Sequence, residues 1–165
     1  MDLPGVPILM PQEELDFIRS TGFQPTQQII PAISRMLDAR AQPLHFEAKR
    51  YEIFDESADL FGDGSVVVVK LSGHTPGSVG TFVNLSPTRR LFHVGDAVQD
   101  THGLAARVGK PPIMAGTDVD AAAADAVVAR LAVLQELVPS LQLIPAHGRD
   151  AWLKFFGQPG CTETP

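Results

Sequence analysis

The sequence predicts a layered α/β fold, with a β meander followed by helix, strand and helix. Three observations carry this reading. Ser65-Val66-Val67-Val68-Val69-Lys70-Leu71 is a β-branched run without alternation, the pattern of a strand buried on both faces. Two more strand patterns follow it across short turns. Val127, Leu131, Leu134 and Val138 then repeat at helical spacing, and a last apolar strand follows.

Taken in order, Pro7-Ile8-Leu9-Met10 reads as a short buried strand. Pro11 opens a helix through Arg19, with Glu13, Glu14 and Asp16 near its positive end. Residues 26–41 read as a second helix, with Ile29, Ile33 and Leu37 on one face and Pro31 in its first turn or at a kink. Phe46 and Ile53-Phe54 suggest one or two strands over 44–54. Gly62-Asp63-Gly64 turns the chain into the valine strand. Val79 to Leu85 and Leu91 to Val94 are the next two strands, joined by Ser86-Pro87-Thr88-Arg89-Arg90. Thr117-Asp118-Val119-Asp120 resembles a capping box and starts a helix over 118–138, which Pro139 ends. Leu141 to Ile144 is a strand, and a helix from Asp150 to Phe156 closes the domain. One domain over 1–157 with a flexible tail over 158–165 accounts for the chain.

Composition narrows the function. The net charge is −6 at pH 7 and no Lys/Arg run offsets it, which argues against nucleic acid or an anionic membrane as partner. No apolar stretch is long enough to span a bilayer, and the N-terminus has no secretory pattern, so the expected location is cytoplasmic. Cys161 is the only cysteine and has no internal disulfide partner.

Three strand ends carry side chains that bind metal. His74 follows the valine strand in Gly73-His74-Thr75-Pro76-Gly77-Ser78. Asp96 follows Leu91–Val94 in Gly95-Asp96. His147 follows Leu141–Ile144 in Pro145-Ala146-His147-Gly148. Imidazole and carboxylate are the ligands of a hydrolytic zinc, and loops at strand ends are where a scaffold presents such groups. Each signal alone is weak, since a histidine after a strand is more often structural and Gly-Asp is more often a turn.

In this order, the three segments resemble the metallo-β-lactamase superfamily of metal-dependent hydrolases. Gly73–Ser78 is similar to its G-H-T-P-G-S motif, Phe92-His93-Val94-Gly95-Asp96-Ala97 to its strand ending in Gly-Asp, and Ile144–Gly148 to its last metal-histidine motif. The resemblance covers about residues 45–157. It implies part of an αββα sandwich and up to two zinc ions, with His74 on the first, His147 on the second and Asp96 bridging them as the catalytic carboxylate. It also implies a small ester, lactone or related substrate, with the lactonase-like branches closest. His102 and Lys110, on the long loop after Asp96, are the candidates for holding substrate; a solvated histidine and a surface lysine are the plainer readings. Thr75 and Ser78 are expected to shape the turn that aims His74, and His93 to be a strand histidine.

The H-x-H-x-D-H motif that opens the family pattern is absent; His45 has no partner two residues on. One His, one Asp and one His would then serve two metals, where a catalytic zinc takes about three protein ligands. The expectation is weak metal binding and little or no activity from this chain alone. A partial sandwich is also expected to expose an apolar sheet face, covered in a homo-oligomer or by a missing segment. The alternative is a non-catalytic, self-associating remnant that keeps these residues for turns and packing.

Overall fold

The structure is a computed structural model in which residues 5–21, 39–107, 109, 110, 114 and 116–157 are described. The predicted helix over 26–41 falls mostly outside these residues, as does the 158–165 tail.

The described residues form two sheets. The small one pairs β1 (Ile8–Met10) in parallel with β2 (Ala41–Pro43), and α1 (Gln12–Thr21) leaves β1 at Pro11. The large one has five strands in the order β3 (Ala58–Asp59), β4 (Val66–Lys70), β5 (Val79–Ser86), β6 (Arg89–Gly95) and β7 (Gln142–Pro145). Strands β3 to β6 are antiparallel neighbours, as the predicted meander requires. β7 joins β6 in parallel, after a crossover through α3 (Ala121–Leu137). This parallel join brings the carboxyl ends of β6 and β7 side by side, which positions the site. α4 (Arg149–Phe156) closes the described chain.

One face of the large sheet packs on α3. Val67, Val69, Phe82, Phe92, Val94 and Leu143 point to this side and are buried with Val127, Val128, Leu131 and Leu134 of the helix. Phe82 and Phe92 are cross-strand partners whose rings stack with centroids 3.7 Å apart, and Phe54 meets both edge-on. On the opposite face, α4 covers the β6–β7 end, where Leu91, Ile144 and Ala151 are buried with Phe155 against them. Val66, Val79, Thr81 and Val83, at the other end of that face, are half-buried.

Three sequence expectations change. Residues 44–54 form no strand: Glu47–Ser57 and Tyr51–Phe54 make isolated bridges. The turn they close folds Tyr51 and Phe54 onto Phe82, so the apolar spacing there serves ring packing. The helix over 118–138 begins later. Its N-cap is Asp120, whose side chain accepts from Ala123 N at 2.9 Å. Residues 117–120 cannot start it, because Val119 N and Asp120 N donate instead to His74 O and Gly73 O. The loop after Asp96 is interrupted by α2 (Thr101–Ala106), capped by Asp100, which accepts from His102 N and Gly103 N.

Candidate functional site

The three strand-end residues sit in two different environments. The turn carrying His74 is held from three sides. Within it, Leu71 N donates to Ser78 O at 2.8 Å and Thr75 N to Ser78 Oγ at 3.0 Å, and the Thr75 and Ser78 hydroxyls are 2.8 Å apart. From α1, Glu14 Oε2 accepts from Gly77 N at 3.0 Å. Gly77 is obligatory there: a Cβ would stand 2.3 Å from Glu14 Cβ. From the segment before α3, Val119 N and Asp120 N each donate at 3.0 Å to His74 O and Gly73 O.

The His74 side chain then meets two charges. Its Nδ1 lies 2.9 Å from Asp118 Oδ1 and 2.7 Å from Lys110 Nζ, and Lys110 also pairs with Asp118 Oδ1. The pair is largely shielded from solvent: Lys110 exposes 6% of its side chain and Asp118 14%. Partial burial works against the Asp118 carboxylate, but the hydrogen bonds from Lys110 and His74 and their charge outweigh it and hold its pKa below the usual range.

Asp96 and His147 form the second place. Gly95 ends β6 with φ +57°, a left-handed turn that releases Asp96 from the sheet, and Ala146 N donates to Gly95 O at 2.9 Å. His147 follows β7 directly. Its Nε2 is 3.1 Å from Asp96 Oδ1, and both side chains are open, at 61% and 41% exposure. A carboxylate beside an imidazole can orient it and take or give a proton. His93 is half-buried beside Trp152, with ring centroids 5.9 Å apart; burial lowers its pKa, against the opposing field of Asp96. The His102 side chain is 89% exposed and 4.0 Å from Asp100.

The structure thus pairs Asp96 with His147, and His74 with Asp118 and Lys110. Among the described residues, no group of three or more His, Cys, Asp or Glu side chains is placed to hold a metal ion. A hydrolytic zinc takes about three protein ligands, so the donors as they stand do not fit a complete zinc centre. Asp118 is the residue that sequence reasoning assigned to a helix start. An acid inside a capping-box pattern reads as part of a helix start, and nothing local marks it as the partner of a histidine 44 positions earlier.

No protein-family profile matches the chain, and no curated protein matches it. Solved structures do. AidC, a dizinc quorum-quenching lactonase in complex with a product, superposes with a TM-score of 0.57 at 18% identity, over 87% of this chain and 48% of that one. An N-acyl homoserine lactone hydrolase with N-hexanoyl-L-homoserine at its catalytic metal centre gives 0.54 at 15%, over 86% and 46%. The AiiA protein of B. thuringiensis, as a variant with N-decanoyl-L-homoserine bound at its active site, gives the same values of 0.54, 15%, 86% and 46%. The chain has, in part, the metallo-β-lactamase fold. It spans about half the length of the metallo-β-lactamase-fold structures it matches. Among the described residues, no helix is long and apolar enough to cross a membrane.

Proposed function

We propose that this chain is part of a zinc-dependent hydrolase that opens a lactone or related small ester, and that Asp96 and His147 are its share of the ligand set. The observation that carries the reading is the 3.1 Å approach of His147 Nε2 to Asp96 Oδ1 at the ends of neighbouring strands, in a fold shared with lactonases. Asp96 is the residue we assign to catalysis. The two side chains supply fewer donors than a zinc site uses, so the isolated chain binds zinc weakly and does not turn over lactone. A non-catalytic remnant is the second reading, favoured by the engagement of His74 with Lys110 and Asp118.

Zinc calorimetry on the purified chain tests the assignment. Weak saturable binding is expected, lost in Asp96→Ala and in His147→Ala. Heat that neither substitution changes, or no binding, would contradict it and leave the remnant. An acyl homoserine lactone with a pH indicator is expected to show no turnover by the isolated chain.

A further inference from the structure

Two exposed aromatic places lie at opposite edges of the large sheet. The first is the loop joining β3 to β4, where Phe61 is 71% exposed. This loop is braced rather than loose. Asp59 accepts from Gly62 N at 3.0 Å through Oδ1 and from Gly64 N at 2.9 Å through Oδ2. Asp63 Oδ1 accepts from Ser65 N at 2.8 Å, and Leu60 N donates to Val66 O at 3.0 Å. The chain thus spends two carboxylates on holding an aromatic ring out in water. The result is a fixed apolar knob set between two negative charges.

The second place is α4, beside β7. Ala151 and Phe155 face the sheet, while Arg149, Trp152 and Phe156 share the side that faces water. The Trp152 and Phe156 rings stack with centroids 5.1 Å apart, and Phe155 meets Phe156 edge-on at 4.8 Å. Two cations border these rings. Arg89 lies over the Phe155 ring at 5.0 Å and donates to Phe155 O at 3.4 Å, and Arg149 opens the helix. Among the described residues, neither forms an ion pair within this chain. The charges of Asp150 and Lys154, on the same helix, cancel. The face is therefore apolar and net positive, on a chain of net charge −6.

Charge decides what such a face can meet. Two α4 faces set against each other would bring Arg89 and Arg149 of both copies together. The β3–β4 loop offers the opposite combination, an apolar ring flanked by Asp59 and Asp63. We propose that the two places bind each other between copies of this chain, with Phe61 of one copy docking on Trp152 and Phe156 of the next and its flanking carboxylates turned toward Arg89 and Arg149. Like charges keep the copies apart elsewhere, and complementary charge selects this contact. The braced loop has little freedom to lose on docking. Knob and socket stand at opposite edges of the sheet, so each contact leaves one of each unused. The contact is heterologous and extends into an open chain rather than closing as a twofold dimer. One loop against one short helix covers far less than a standard interface, so association is weak and concentration-dependent. Neither metal nor substrate enters the contact.

Trp152 is the only tryptophan of the chain, so its emission reads the socket alone. With a chelator present, full-length Trp152→Phe chain, which keeps the Phe61 knob, is titrated into dilute wild type. A saturating blue shift is expected, weakened by added salt. Trp152→Phe that also carries Phe61→Ser is expected to need at least about tenfold more protein for the same shift, the loss of one buried phenyl ring. Sedimentation is the second arm. Phe61→Ser and Phe156→Ser are each expected to stay monomeric at concentrations where the wild type associates. An equal mixture of the two is expected to form dimers and nothing larger, because one intact knob and one intact socket remain to each pair. A wild type that is monomeric at every concentration reached, a shift indifferent to Phe61, or a mixture that stays monomeric overturns the proposal. So does association lost in Phe156→Ser and kept in Phe61→Ser, the pattern of two α4 faces. Should Phe156→Ser not fold, the fluorescence titration decides alone.

Discussion

The His74 corner and the Asp96–His147 corner differ in how their charge is managed. Both begin at strand ends of the same five-stranded sheet. At His74 the polar groups are largely shielded and tied to one another, to α1 through Glu14, and to the segment before α3. At Asp96 and His147 the groups lean on each other and otherwise face solvent. A shielded, internally neutralised corner contributes to holding the fold. An open carboxylate–imidazole pair contributes little to stability and is free to bind something. The same residue types in neighbouring loops therefore carry different tasks, and the presence of Lys110 at one of them makes the difference.

Stability measurements can break this contrast. The largest effect is expected for Lys110→Ala, which removes one of the two partners of a largely shielded carboxylate and leaves it His74 alone, at up to about 3 kcal/mol. Chemical denaturation of the variant should show it, and a loss no larger than that of a surface pair would place Lys110 in solvent. Next is Gly77→Ala. A methyl group 2.3 Å from Glu14 Cβ must push α1 off the His74 turn, at roughly 1–3 kcal/mol. Unchanged stability would mean that α1 does not dock there. The smallest effect is expected for His147→Ala, within about 0.5 kcal/mol, since an exposed pair is worth little. A loss matching that of Lys110→Ala would erase the distinction between the corners.

Much of this arrangement was legible in the sequence. The valine run, the hairpin spacing and the 3.6-residue repeat of Val127, Leu131 and Leu134 report local burial, and the strands β4 to β7 and the helices α3 and α4 lie where those patterns put them. The segment over 44–54 was misread because Phe46 and Ile53-Phe54 look like strand residues, while Phe54 belongs to a folded turn that packs with Tyr51 on Phe82. The start of α3 was misread because Thr117 to Asp120 has the spacing of a capping box, while the Asp118 carboxylate in it pairs with Lys110 and His74 and the cap is Asp120. The pairing of Asp96 with His147 follows from the parallel join of β6 and β7, a long-range contact that local periodicity does not encode. The environment of Lys110 was equally hidden, since a lysine on a long loop reads as solvated whether or not the fold closes over it.

The central claim is that a cation entering this protein meets Asp96 and His147 and is kept from His74. Following all the histidine ring signals of the wild-type chain during a zinc titration tests it most directly. His147 is expected to shift with zinc while His74 stays at its metal-free position. His74 and His147 shifting together, with one midpoint, would contradict the account.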